Sequence, residues 1–163
     1  MSAIASFYVI PQDRLPEILA AATPSPKKWF RPARDPFWPA LQGASRQLET
    51  FGWSGWVFND LEMYLESRNG FRYSKFGDAA ASRQLSKARA SDWLVVPALS
   101  AAELRAALDG VTCEAADVKT FLSSEHGPDN VAEGAEAVQA ALTILKTWLA
   151  EVSPGSVGLM SVG

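Results

Sequence analysis

Cysteine and histidine are almost missing from this sequence: Cys113 and His126 are the only ones. One cysteine cannot form an intramolecular disulfide, and the two together fall short of any Cys/His-rich zinc site. Long hydrophobic runs are missing as well, and no segment approaches the roughly 20 apolar residues needed to span a bilayer. The opening stretch, MSAIASFYVIPQDR, is apolar in part, but no basic residue precedes that part and a helix-start signal follows at once, unlike a secretory leader. The expectation is a cytoplasmic protein without membrane association. Glycine-rich phosphate loops are also lacking: no GxGxxG follows the first strand and no GxxxxGK[ST] occurs. Neither GxSxG nor HExxH is present. The commonest nucleotide-binding, serine-hydrolase and zinc-protease readings fall away, and no cofactor or metal is expected.

What remains is a folding composition, 48% hydrophobic and 20% charged over 163 residues. That size suits one domain, residues 1–163. The net charge of −3 and pI of about 5.2 argue against generic nucleic-acid binding, which usually shows as a basic domain. The charge is uneven: residues 1–99 carry 12 Lys/Arg against 9 Asp/Glu, and residues 100–163 carry 3 against 9.

The hydrophobic pattern predicts an α/β fold rich in helix. Ile4 to Ile10 reads as a strand stopped by Pro11, followed by a helix capped by Asp13. Residues 40–51 read as a helix ended by Gly52, and Asn59 to Arg68 as another, with Gly70 at its left-handed end. Phe71 to Phe76 alternates like an edge strand, and Asp78 to Arg89 reads as a polar, exposed helix. Trp93 to Val96 is a second clear strand. Ser100 and Glu103 have the spacing of a capping box at the head of the next helix. A helix over Glu114 to Ser124 follows. The longest helix, from about Asn130 to Val152, has apolar residues at three- and four-residue intervals, and Ser156 to Val162 forms a last strand. The expected architecture is a small mixed sheet of three to five strands covered by helices. First and last strands meet in it, and Trp93, Leu94, Val95, Leu104, Leu108, Leu142, Leu145 and Leu149 lie in the core.

One segment stands apart. Five of the ten prolines fall between Thr23 and Pro39, which predicts a long loop over 23–39. Eight of the seventeen aromatic residues lie between Trp29 and Phe58, with Lys27, Lys28, Arg31 and Arg34 among the first of them. Arg and Trp are favoured interface anchors, because each makes large contacts with little flexibility. Lys28, Trp29, Arg31, Arg34, Trp38, Trp53 and Trp56 are therefore the candidate binding residues. The alternative is an aromatic mini-core that merely pins the loop down.

Other candidates are weaker. Asp60, Glu62 and Glu66 crowd one helix, and Glu62 and Glu66 share a face, so they would serve as an acidic ligand or catalytic site, or simply as a solvated surface. Cys113 is read either as a thiol activated by a helix start or as a small buried apolar residue. His126, in SSEHGPD, lacks any nucleophile pattern nearby and reads as an exposed loop histidine.

The two ends of the chain resemble the YfbM-like family of uncharacterised bacterial proteins. The residues that carry the likeness are Ser2 to Ile10, Gln12 to Leu15, Trp93 to Leu104, Ala137 to Glu151, and Gly158 to Gly163. The resemblance implies an architecture: a short opening strand and helix, a central strand-to-helix passage, and a long helix with a closing apolar strand. It implies no activity. The functional expectation, drawn from the aromatic and basic segment 27–58 and the lack of a catalytic motif, is a non-catalytic protein-interaction or regulatory domain, of which an immunity-type inhibitor is one form. Another protein is the expected partner, and the chain itself is expected as a monomer or homodimer. The alternative is a small-ligand protein or enzyme with an acidic and aromatic pocket near 53–66.

Overall fold

A computed structural model describes residues 3–23 and 35–163. The elements run β1 Ala5–Pro11, a 3-10 turn Gln12–Arg14, α1 Leu15–Ala22, α2 Phe37–Ala44, β2 Arg46–Gln47, α3 Val57–Asn69, a 3-10 turn Tyr73–Phe76, α4 Ala79–Arg89, β3 Asp92–Pro97, α5 Ala98–Asp109, α6 Ala115–His126, α7 Val131–Ala150 and β4 Ser156–Val162. The four strands form one sheet in the order β2-β1-β4-β3.

The first and last strands meet along their whole length, from Ala5 opposite Val162 to Pro11 opposite Ser156. β4 pairs on its other side with β3, from Asp92 opposite Val162 to Pro97 opposite Val157. Every pairing is antiparallel, which corrects the expected mixed sheet. β1 and β3 do run parallel, but β4 lies between them in the opposite sense, so no parallel neighbours arise.

Side chains alternate across this sheet and build two cores. Phe7, Val96, Met160 and Val162 face the layer of α3, α5, α6 and α7. Tyr8, Ile10, Trp93, Val95, Val157 and Leu159 face the smaller layer of α1, α2 and α4. In the larger core Trp148 is fully buried, its indole stacked between Phe7 at 5.3 Å and Phe58 at 5.5 Å, and its N–H donates to the Glu49 carbonyl at 3.0 Å. Truncation of such a residue to alanine costs about 3–5 kcal/mol. Gly158 leaves space for Phe7: a Cβ there would lie 2.5 Å from Phe7 Cζ. All eight expected core residues are buried except Leu94, which is half-buried against the larger core.

Both edges of the sheet are covered, which removes open pairing sites. Along β1, the chain after α2 continues past β2, with Leu48 and Phe51 donating to the carbonyls of Phe7 and Ala5. It thereby passes from the smaller layer to the larger. Along β3, helix α4 supplies side chains instead of a strand: Ser86 and Ser82 hydroxyls accept from the Trp93 and Val95 amides at 2.8 and 2.9 Å, and the Asp78 amide donates to the Val95 carbonyl at 2.7 Å. The serines of the supposedly exposed helix are thus edge caps, and its Ala81 and Leu85 are buried.

Several local expectations change. The helix expected over 40–51 lies at Phe37–Ala44, so Phe37, Trp38 and Pro39 leave the expected loop. Pro39 fits because a first-turn residue has no intrahelical donor to lose. Phe71 to Phe76 forms no strand; Tyr73–Phe76 is a 3-10 turn, anchored by the Tyr73 hydroxyl donating to the Phe58 carbonyl at 2.8 Å. The capping box does not form, because α5 starts at Ala98, directly after β3, and places Ser100 inside its first turn. Asp13 caps no helix, and Asn59 and Asp60 lie within α3 rather than before it. Asp78 caps α4, accepting from the Ala80 and Ala81 amides, and Gly70 ends α3 at φ +70°.

Candidate functional site

The smaller layer presents an aromatic platform at the start of α2. Phe37 points inward and is fully buried, while Trp38, the next residue, is 41% exposed. Their rings meet edge to face at 5.1 Å, and both contact Trp93 of β3, at 5.5 and 6.5 Å. The Arg89 guanidinium, from the last turn of α4, lies 4.5 Å from the Phe37 ring centre and 5.5 Å from that of Trp38. Such a cation over aromatic faces contributes about 0.5–2 kcal/mol, more when desolvated. Asp35 fixes the guanidinium with two hydrogen bonds of 2.6 and 3.0 Å. Asp35 Oδ1 also accepts from the Phe37 amide at 3.1 Å. The hydrogen bond from Arg89 holds the Asp35 carboxyl below the usual range, against the opposing effect of burial. The outcome is an exposed indole held from beneath and from one side.

Lys28, Trp29, Arg31 and Arg34 lie outside the described residues. Trp53 and Trp56 belong to the other layer: Trp53 is half-buried against the larger core, and Trp56, just before α3, is 49% exposed. The chain crosses the β1 edge between Trp38 and Trp53, so the sheet lies between Trp38 and the Trp53–Trp56 pair. Arg89 and Asp35 were missed by the sequence reading. They are 54 positions apart, and only the packing of α4 beside α2 brings them together.

The three carboxylates of α3 do not form one site. Glu62 and Glu66 share a face, and Arg72 lies beside both, at 3.9 and 3.7 Å. Glu62 also accepts from the Ser74 amide at 2.8 Å, which fixes the turn after α3. It borders a cavity of about 190 Å³ with Tyr73, Trp93 and Asp92; ligand pockets usually start near 300 Å³. Asp60 points elsewhere, to His126 Nε2 at 2.9 Å. His126 is the last residue of α6 and remains about half exposed. No hydroxyl or thiol among the described residues is bonded to its ring. Cys113 is buried, and that burial pushes its thiol up to about 11. The small-apolar reading of this cysteine therefore describes it, and an activated thiol does not. Among the described residues no cluster of three or more His, Cys, Asp or Glu is placed to hold a metal ion, and no helix is long and apolar enough to cross a membrane.

No family model, curated protein or solved structure matches this chain.

Proposed function

We propose that the protein is a non-catalytic protein-interaction domain, regulatory or inhibitory in role, that binds another protein through Trp38 and the basic, aromatic segment before it. The observation that carries this reading is the clamped exposure of Trp38. An indole already fixed by Phe37, Trp93 and Arg89 loses little freedom on binding, and such preorganisation favours affinity. Trp is also among the residues that dominate interface energies. The neighbouring Lys28, Arg31 and Arg34 favour a partner with an acidic face, chiefly through faster association. The acidic-pocket alternative draws less support, because Glu62 and Glu66 face Arg72 whereas Asp60 faces His126.

Affinity purification from host cells tests the reading with four baits. The wild type should retain a stoichiometric protein partner. Trp38→Ala should weaken it by about 2 kcal/mol, roughly 30-fold. A charge-reversed Arg31→Glu/Arg34→Glu bait should weaken it by about tenfold, mainly in association rate. Trp56→Ala, on the other layer, should leave it unchanged. Equal retention by wild type, Trp38→Ala and the charge-reversed bait would remove the proposal.

A further inference from the structure

The larger layer contains a separate pocket of about 300 Å³, between the last two turns of α3 and the connection from α5 into α6. Tyr64 forms part of its wall. The residue is only 3% exposed, yet its hydroxyl has no hydrogen-bond partner among the described residues. Arg89 Nε is the sole buried side-chain polar atom sealed without a partner among those residues, so the Tyr64 hydroxyl keeps access to open space, and the space it borders is this pocket. Burial raises the Tyr64 pKa. The nearby Cys113, Asp117 and Glu114 raise it further and Arg68 lowers it; Arg68, Glu114 and Asp117 line the same pocket as Tyr64. A hydroxyl at the edge of an open pocket can pair with water or with a polar ligand that displaces it.

The charges around that hydroxyl define the ligand. Arg68 and Asp117 face each other across the pocket at 2.8 Å, with side chains 59% and 42% exposed. An ion pair that open contributes at most about 1 kcal/mol, so it parts cheaply. Its single close contact uses one nitrogen of the guanidinium, and the other donors are free to grip a carboxylate in two-point fashion. Glu114 makes no ion pair among the described residues and stands beside Asp117, one helical turn on. A carboxylate on Arg68 and an ammonium between Asp117 and Glu114 would exchange one weak pair for two. A plain anion would meet two carboxylates, a plain cation would meet Arg68, and a polyol would leave all three charges unmatched. The volume lies at the low end for ligand sites and fits a molecule of amino-acid size.

We infer that this pocket binds a free α-amino acid, with its carboxylate on Arg68, its ammonium on Asp117 and Glu114, and the Tyr64 hydroxyl as a further hydrogen-bond partner. The site is separate from the Trp38 platform and does not depend on it.

Amide-detected NMR titration and calorimetry of the whole chain test the assignment, using the twenty free amino acids, their N-acetyl and methyl-ester forms, glycerol and inorganic phosphate. At least one free amino acid should saturate, with shifts at Tyr64, Thr112 and Asp117. Acetylation or esterification should weaken it about tenfold or more, as should Tyr64→Phe. Glu114→Gln, at an exposed position, provides a second variant if Tyr64→Phe unfolds, and should weaken binding in the same direction. Trp38→Ala should bind as the wild type does. Saturation by none of the twenty, equal binding of the blocked forms, binding of glycerol or phosphate alone, or full affinity in the variants would each overturn the inference.

Discussion

Two Arg–Asp pairs, one in each layer, have nearly the same closest distance and sit in different surroundings. Arg89–Asp35 closes at 2.6 Å and Arg68–Asp117 at 2.8 Å. Arg89 is 17% exposed and lies over two aromatic rings, whereas Arg68 is 59% exposed at the mouth of a pocket. A guanidinium that is stacked, desolvated and doubly hydrogen-bonded becomes part of the framework, and here it holds Trp38. A guanidinium with one solvated partner contributes little to stability and can exchange that partner for a ligand. The pairs teach that burial and stacking decide which arginine shapes the molecule and which can bind; residue type does not.

The largest expected effect concerns the buried thiol of the larger layer. With its thiol pushed up to about 11, Cys113 should react with a thiol reagent at pH 8 at least ~100-fold more slowly in the folded chain than in the unfolded one, where the thiol lies near 8.5. Comparable rates would show that the core around Cys113 opens readily.

Next is the clamp. Arg89→Ala should destabilise the protein by about 2 kcal/mol, through lost stacking and an orphaned Asp35, and lower the melting temperature by about 4–8 °C. Trp38 emission should shift and its anisotropy fall as the ring gains freedom. A melt unchanged from wild type would mean that the two pairs do not differ in the way described.

The clamp should also leave a pH signature. The Asp35 carboxyl is held below its ordinary value, first by the hydrogen bond from Arg89. Its contribution is therefore present above the unfolded value near 3.9 and is lost as pH falls below that value. Melting temperature against pH should thus drop more steeply on the acid side in the wild type than in Arg89→Ala. Parallel acid limbs would contradict this.

The smallest effect is the sharpest contrast. Arg68→Ala should change stability by less than about 0.5 kcal/mol, a shift of roughly 2 °C or less. A loss as large as that from Arg89→Ala would erase the comparison.

The sequence made some of this legible. Strands β1, β3 and β4 were readable because β-rich runs end at Pro11 and Pro97 or begin after Gly155, and α7 because its apolar residues keep helical spacing over 20 residues. The pairing of first and last strands followed from both being apolar on two faces. The antiparallel order did not, because nothing local says that β4 inserts between β1 and β3. Ser100 and Glu103 have the right spacing for a cap, but the strand before them runs straight into helix and moves the start three residues earlier, with Pro97 at the cap position. Glu62 and Glu66 were rightly placed on one face, four residues apart. Asp60, two residues before Glu62, points about 200° away around the helix. The Trp38 clamp and the Tyr64 pocket are assembled across 54 and 49 positions by helix packing, a distance over which local pattern carries no signal.

The most direct test of the protein-interaction reading is native mass spectrometry of the tagged chain, isolated gently from its own host lysate, beside Trp38→Ala prepared in the same way. The reading predicts a stoichiometric protein partner on the wild type that is absent from Trp38→Ala. A wild-type chain that appears only by itself or as a homodimer, or a partner that stays on Trp38→Ala undiminished, would contradict it.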